Sequence, residues 1–187
     1  MDRRRTLLAL GLGTNQLDYL VAATRVGWNI VGVDQDPQSN GRSLCEEFLQ
    51  LPISDTDGIV TAMLERGIVP GGCISEQSDV AMKTLGHIND RWQLRGVTSE
   101  QANVISDKEL QRRALAAQGL SQPAQFRCRS LRQAEIAADQ LWSDGLFAVI
   151  KPVSGQGSSG VFLDMQGSRR ARLRRFLPSG KMCLTNG

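Results

Sequence analysis

Residues 148–161, which read AVIKPVSGQGSSGV, place a glycine-rich loop between two apolar runs. The first run ends at Lys151, so a single cation stands where the loop begins. The pattern predicts a strand, a flexible loop and a second strand. Glycine lets the main chain approach a ligand closely, and exposed N–H groups and serine hydroxyls can donate to phosphate oxygens. The stretch therefore indicates phosphate binding, with an ordinary glycine-rich hairpin as the alternative.

The order of lysine and glycines excludes two common phosphate loops. In a P-loop the lysine follows the glycines and a helix comes next, whereas here the lysine comes first and a strand follows. In the protein-kinase loop the glycines also precede the lysine, on an earlier strand. What remains is a hairpin that begins with its lysine.

Composition indicates a globular chain with a sizeable core. The 187 residues suffice for one ordinary domain or two small ones, and 41% of them are hydrophobic against 22% charged. No apolar run approaches the roughly 18 residues that cross a bilayer. The basic start followed by residues 6–12 resembles a signal peptide, but Gly11 and Gly13 interrupt the apolar run and no small-residue cleavage site follows, so we expect no secretion.

The cysteines and the single histidine disfavour metal and hydrolase chemistry. No C-x-x-C pair occurs among the four scattered cysteines Cys45, Cys73, Cys128 and Cys183, so we expect reduced thiols in the cytoplasm rather than a zinc site or a disulfide framework. His87 falls off the apolar stripe of its helix, which predicts an exposed side chain. A triad hydrolase or a histidine-based metal site is therefore disfavoured.

The net charge of +3 is concentrated at the end of the chain. Six basic residues and no acidic residue follow Asp164. A basic tail can bind nucleic acid, but this one is short and has only Phe176 as an aromatic. A solvated helix face is the favoured interpretation, and we expect neither nucleic acid nor a membrane as a partner.

The first half of the chain alternates strands and helices. Strands are predicted at 6–10, 29–33, 48–49 and 72–74, and helices at 15–27, 40–47, 56–67 and 77–92. Alternation of this kind implies parallel βαβ units and a doubly wound α/β sheet. We assign residues 1–95 to this Rossmann-like domain.

The character of the sequence changes near Arg95, and we assign residues 96–187 to a second, α+β unit. Ser106 and Glu109 have the spacing of a capping box for a helix that ends near Gly119. The other predicted elements are helices at 98–104, 131–143 and 168–177, and strands at 124–128, 147–151, 161–163 and 181–184.

Two loops of the first domain are candidates for ligand contact. GLGTNQ at 11–16 follows the first strand, but Gln16 stands where a dinucleotide fingerprint needs glycine. NAD binding, with Asp34 as the ribose acid, is therefore an alternative, and a packing turn or small-molecule contact is favoured. SEQSD at 75–79 joins a strand's end to a helix, where open α/β sheets bind ligands, although helix capping explains it equally well. The candidate substrate contacts are Gly13, Asn15, Glu76 and Ser78.

Four segments occur in an order that resembles the ATP-grasp superfamily, particularly its biotin carboxylase, carbamoyl phosphate synthetase and carboxylate–amine ligase branch. They are GLGTNQ with VDQDP, then SEQSDVAMKTL, then SDKELQRRALAAQGLSQP, and finally VIKPVSGQGSSGV. The specific part is the pair "DK…Gly-x-x-x-Pro" and "Lys-Pro-x-x-Gly-x-Gly-Ser-x-Gly". The resemblance covers about residues 6–163, the N-terminal portion of such enzymes.

The resemblance implies that the Rossmann-like domain helps to hold a small carboxylate substrate and binds no NAD. It implies that Lys108 and Lys151 bind ATP; Lys108 also lies in a helix's first turn, where a cation is mildly unfavourable and suggests an anionic partner. The loop expected to close over the phosphates consists of Ser154, Gly155, Gln156, Gly157, Ser158, Ser159 and Gly160. The family transfers the γ-phosphate of Mg²⁺-ATP to a carboxylate, and a nucleophile attacks the resulting acyl phosphate. Lysines and backbone dipoles suit such a transfer, and a closing loop shields the intermediate from water.

The sequence departs from the family after Asp164. The family's second lobe reads adenine and binds Mg²⁺, yet no carboxylate follows Asp164, and Thr185-Asn186 stand where acids are expected. We therefore expect the Mg²⁺ ligands to lie outside this chain, no catalytic residue within it, and no activity of the chain alone, as for a fragment, a frame-shifted product or half of a split enzyme. The alternatives are a non-catalytic binding module, acting as a homo-oligomer or with a complementing chain, and an NAD-binding Rossmann protein.

Overall fold

A computed structural model of the chain describes residues 5–76, 78–152, 161–164 and 182–186. The chain divides into two compact units, Met1–Ser106 and Asp107–Gly187. The predicted phosphate loop at 154–160 and the predicted tail helix at 168–177 lie outside the described residues.

The first unit is a parallel four-stranded sheet with helices on both faces, which confirms the predicted doubly wound α/β fold. The strands are β1 (Thr6–Leu10), β2 (Asn29–Val33), β3 (Glu47–Leu49) and β4 (Gly72–Ile74). They lie in the order β3-β2-β1-β4, so the strand order reverses at β1: β2 and β3 lie on one side of it and β4 lies on the other. The helices are α1 (Leu17–Arg25), α2 (Thr56–Glu65), α3 (Met82–Trp92) and α4 (Ser99–Ser106).

Successive residues of β1 pack into two different apolar clusters. Leu8 and Leu10 belong to the cluster that contains Ile59 of α2 and Ile88 of α3. Ala9, between them, belongs to the cluster that contains Leu20 of α1. Both faces of the strand are therefore covered, which is why β1 is an unbroken apolar run rather than an alternating one.

The predicted helix at 40–47 is wrong, because the chain forms only a short 3-10 turn at Arg42–Leu44 before β3. The Gly41 N–H donates to the Leu12 carbonyl at 2.8 Å, and a Cβ at Gly41 would overlap Leu20. The segment is thus held against α1 and the loop after β1, which leaves no room for a full helix. The helices predicted to begin at 15 and 77 begin instead with 3-10 turns, Thr14–Gln16 and Asp79–Ala81.

Helix α4 packs closely against α3 within the first unit. A Cβ at Gly86 would lie 2.8 Å from the Thr98 carbonyl and 2.9 Å from the Ala102 Cβ, so only glycine fits at this crossing. The buried Asn89 donates from Nδ2 to the Val97 carbonyl at 2.9 Å. These contacts explain why the compact units divide after Ser106, later than the change of character near Arg95.

The second unit contains an antiparallel four-stranded sheet. Its strands are β5 (Gln125–Cys128), β6 (Ala148–Pro152), β7 (Phe162–Asp164) and β8 (Met182–Asn186), and its helices are α5 (Lys108–Ala117) and α6 (Leu131–Ser143). The strands lie in the order β5-β8-β6-β7. Helix α6 packs on one face of the sheet; its Ala134, Ala138 and Leu141 are buried in one cluster with Cys128 and Ile150.

The predicted capping box is wrong, because Asp107 rather than Ser106 caps α5. The Asp107 carboxylate accepts from the N–H of Glu109 at 2.9 Å and of Leu110 at 3.2 Å. Asp107 has the extended backbone that an N-cap residue needs (φ −118°), whereas Ser106 is still part of α4. Gly119 follows the helix with φ +76°, a left-handed conformation typical of a residue just beyond a helix end.

Candidate functional site

The loops after β1 and β4 meet at the edge where the strand order reverses. The Ser75 hydroxyl donates to the Leu10 carbonyl at 3.1 Å, and Gln16 Nε2 donates to the Glu76 carbonyl at 2.8 Å. The loop that carries the predicted contacts Gly13 and Asn15 is thereby joined to the loop that carries Glu76 and Ser78. Such an edge is where open α/β sheets bind ligands, and the exposed Asn15 and Glu76 are accessible to one.

Asp34 ties this edge together instead of facing it as a free acid. Its Oδ2 accepts from the Leu12 N–H and its Oδ1 from the Asp36 N–H, both at 2.9 Å. In addition, the Gln16 side chain lies against the glycine turn, with Oε1 3.0 Å from where a Cβ of Gly13 would be. One carboxylate oxygen of Asp34 therefore holds the glycine turn after β1, and the other holds the loop after β2.

Tyr19 supplies a neutral hydroxyl beneath the same turn. Its hydroxyl donates to the Gly11 carbonyl at 3.2 Å. Burial raises the tyrosine pKa far above its ordinary value, and the nearby Glu76 carboxylate raises it further. Burial likewise raises the pKa of Cys73 to about 12 and that of Cys45 to about 11. The phenol and both thiols therefore stay protonated at neutral pH, and neither thiol is an activated nucleophile.

The sheet of the second unit carries its polar side chains on the face away from α6. Phe126 and Cys128 of β5, like Ala148 and Ile150 of β6, pack with α6. Side chains alternate along a strand, so Gln125 and Arg127, like Val149 and Lys151, project from the opposite face. Arg127 and Lys151 both pair with position 183 of β8, which puts them in one row with Cα atoms about 10 Å apart.

The start of α5 is held at this row by Arg127. Its Nη2 lies 3.8 Å from Asp107 Oδ2, and its Nη1 is hydrogen-bonded to Glu109 Oε2. Asp107 and Glu109 flank Lys108, so the helical turn that carries Lys108 is held at the row that carries Lys151. The structure thus places the start of α5 beside the strand row that contains Lys151. The remaining predicted contacts, 154–160, lie outside the described residues.

A pocket of about 270 Å³ lies between α5 and β5 on the same face, and the sequence interpretation missed it. Both polar atoms of the Gln125 carboxamide are buried and have no hydrogen-bond partner among the described residues. The double arginine at 112–113 was a signal of positive charge, but nothing local in the sequence shows that α5 lies beside β5. The lining residues are Glu109, Arg112, Arg113, Ala116, Gln122, Pro123, Gln125 and Arg127.

The described part of the chain has neither a cluster of metal ligands nor a membrane-spanning helix. No group of three or more His, Cys, Asp or Glu side chains there could hold a metal ion. No helix there is long and apolar enough to cross a membrane. His87 is exposed, as predicted.

Comparisons with known proteins find similarity in structure only. No family model and no curated protein sequence matches the chain. N5-carboxyaminoimidazole synthetase from Staphylococcus aureus, solved with ADP, is 13% identical with a TM-score of 0.81 over 100% of this chain and 48% of its own. Carboxyaminoimidazole ribonucleotide synthase from Aspergillus clavatus, solved with ATP, is 13% identical with a TM-score of 0.78; the match covers 100% of this chain and 48% of the synthase. L-amino acid ligase from Bacillus licheniformis is 16% identical with a TM-score of 0.69; the match covers 98% of this chain and 44% of the ligase.

The chain thus spans about half the length of the solved structures that it matches. These structures are ATP-grasp enzymes, and the matched half is their N-terminal portion. The resemblance drawn from residues 6–163 is therefore confirmed at the level of the fold.

Proposed function

We propose that this chain, which has the fold of the N-terminal portion of ATP-grasp enzymes, binds ATP as part of an ATP-dependent carboxylate–amine or similar ligase. One observation carries the proposal: the start of α5, with Lys108, is held at the strand row that contains Lys151. Two lysine point charges related in this way suit a polyphosphate. The ADP and ATP in two of the similar structures support the choice of nucleotide.

The charges around Arg127 favour an anion at the lysines. Arg127 pairs with two carboxylates, Asp107 and Glu109, so these three side chains together leave one negative charge in excess. Lys108, Lys151 and, along the neighbouring pocket, Arg112 and Arg113 contribute more positive charges than this excess, so the charge around the row is positive overall. Positive groups already in place stabilise the charge that shifts during phosphoryl transfer.

The glycine-rich loop is proposed to complete the phosphate site. It begins directly after β6, so residues 154–160 follow Lys151 within a few positions. Closing over the phosphates, it would exclude water from a reactive acyl phosphate.

The described residues contain no group of three or more His, Cys, Asp or Glu side chains that could hold a metal ion by itself. Phosphoryl transfer to a carboxylate uses Mg²⁺ to neutralise charge on the phosphates. We therefore assign no catalytic step to these residues, and we propose that the chain assayed alone does not turn over ATP. Its match to only about half of each similar enzyme supports this view.

The acceptor substrate, a small carboxylate, is assigned to the edge where β1 and β4 end. Gly13, Asn15, Glu76 and Ser78 lie on the two joined loops there. The NAD alternative is disfavoured because both oxygens of Asp34, its candidate ribose acid, accept backbone N–H groups. The other alternative is a non-catalytic binding module, alone, as a homo-oligomer or with a complementing chain; unlike the proposed ligase, such a module would not turn over ATP even in its complete assembly.

Titration of the chain with Mg²⁺-ATP, followed by protein-observed NMR, tests the proposal. We expect weak binding, with a Kd on the order of 1 mM. Lys151→Ala should abolish this binding, and Lys108→Ala should weaken it. NADH in place of ATP is the control ligand. Binding of NADH while ATP is ignored would overturn the proposal.

A further inference from the structure

We propose that Arg127 is a positioning residue for Lys108, an inference that rests on the proposed ATP site. Its guanidinium contacts the carboxylates of Asp107 and Glu109, the residues on either side of the lysine. Asp107 is also the N-cap of α5, so the same contact fixes where the helix begins. Arg127 therefore controls the orientation of the helical turn from which Lys108 extends.

The need for such a contact follows from the poor packing of α5. None of the residues of this helix is buried, and Leu115 is 42% exposed. By contrast, α6 buries Ala134, Ala138 and Leu141 in the core of the unit. Apolar packing thus fixes α6, while α5 lacks the core contacts that normally hold a helix in place. The ion pairs of Arg127 with Asp107 and Glu109 therefore hold the start of α5 in place where apolar packing does not.

The surroundings of Arg127 make this contact stronger than an ordinary surface ion pair. The side chains of Arg127, Asp107 and Glu109 are 27%, 23% and 28% exposed, whereas the Arg66–Glu47 pair of the first unit is 46% and 43% exposed. Partial burial lowers the effective dielectric, and a guanidinium fork can hold two carboxylates at once. Lysine in its place could not span both.

The position of Arg127 in its strand relates the contact to Lys151. Arg127 and Lys151 lie in one row of the same sheet, since both pair with position 183. The row is fixed by main-chain hydrogen bonds, so holding α5 to Arg127 fixes the start of that helix relative to Lys151. The contact therefore sets the separation of the two phosphate-binding lysines.

The experiment is a Mg²⁺-ATP titration in which the backbone amide signals of Lys108 and Lys151 are followed separately in the full 187-residue chain. In the parent chain both signals should shift with a single Kd. In Arg127→Gln the Lys151 signal should still shift, whereas the Lys108 shift should be lost and the overall Kd should rise at least about fivefold, equivalent to about 1 kcal/mol. Arg127→Lys, which keeps the charge but not the fork, should give an intermediate Kd. Arg66→Gln, which removes an ion pair of the first unit, is the matched control and should leave both shifts unchanged.

The outcomes separate the two proposals. If neither lysine responds to ATP in the parent chain, the proposed ATP site fails, and the role of Arg127 fails with it. If both lysines respond equally in the parent, in Arg127→Gln and in Arg127→Lys, the ATP site stands and only the positioning role is overturned. Should Arg127→Gln not fold, the Arg127→Lys variant alone decides: an unchanged Lys108 shift and Kd would refute the role.

Discussion

The two sheets of the molecule differ in what covers their faces. The first has helices on both, and residues 7–10 of β1 pack apolar side chains against the helices on either side. The second has α6 on one face and carries Arg127 and Lys151 on the other. The difference suits two tasks: the first sheet is a packed scaffold whose proposed ligand edge lies at its strand ends, whereas the second sheet carries charged side chains on its strands, on the face beside α5. Substitutions in the two sheets should therefore have different consequences.

The largest effect is expected at the centre of the first sheet. Leu8 is fully buried, and Leu8→Ala leaves a cavity that should lower the free energy of unfolding by about 4 kcal/mol. Urea denaturation followed by circular dichroism measures this change. Val26→Ala, at an exposed position, is the control and should alter stability by less than about 0.5 kcal/mol. Similar losses in both variants would mean that the first sheet is not the packed scaffold described.

A second large effect is expected where α3 crosses α4. Gly86→Leu forces a side chain against the Thr98 carbonyl and Ala102, which should destabilise the first unit by about 3 kcal/mol. Gly72→Ala is the matched control, because its nearest neighbouring atom would be 3.4 Å away. Comparable unfolding midpoints for the two variants would contradict the close crossing.

Ile150 and Lys151 of β6 test the difference between the two faces of the second sheet, because neighbouring residues of a strand face opposite sides. Ile150 is 2% exposed and packs with α6, so Ile150→Ala should cost about 3 kcal/mol of stability. Lys151→Ala should change stability by less than about 0.5 kcal/mol and yet abolish ATP binding. Parallel unfolding and ATP titrations on the two variants check both expectations. An Ile150→Ala variant that is as stable as the parent would show that α6 does not cover this face.

The smallest effect is a pH dependence at the α3–α4 contact. Hydrogen bonds from the Ser99 hydroxyl and then from its N–H hold the pKa of Asp90 below its ordinary value. A carboxyl whose pKa is lower in the folded state stabilises the fold above its unfolded pKa, and this stability is lost as the pH falls through the folded pKa. Urea midpoints between pH 7 and pH 3 should therefore fall less steeply in Asp90→Asn than in the parent. Identical slopes would show that the hydrogen bonds do not form in solution.

Periodicity predicted the fold well, and it failed where distant parts of the chain meet. The strand at 29–33 and the helix at 131–143 were placed at their observed bounds because apolar patterns and end signals are local. The helix expected at 40–47 was lost to the contact of Gly41 with Leu12 and Leu20. The cap of α5 moved from Ser106 to Asp107 because α4 runs to Ser106, two residues beyond its predicted end.

The candidate site was predicted unevenly. Lys108 and Lys151 were chosen from the sequence by their place in the motifs of the resemblance, and their role in ATP binding stays a prediction. The contact of Arg127 with Asp107 and Glu109 could not be predicted, since it depends on how α5 lies beside β5 and on the register of β5 with β8. The assignment of phosphate contacts within 154–160 stays a prediction.

The position of β8 has a consequence for folding. The last strand of the chain lies between β5 and β6, with Gln125 opposite Thr185 and Val149 opposite the same residue. The first sheet is complete once residue 74 has been synthesised, whereas the second waits for residues 182–186 to close a long loop, which makes its assembly slow. During translation the first unit can therefore fold early, while β5 and β6 still have unpaired edges that invite aggregation.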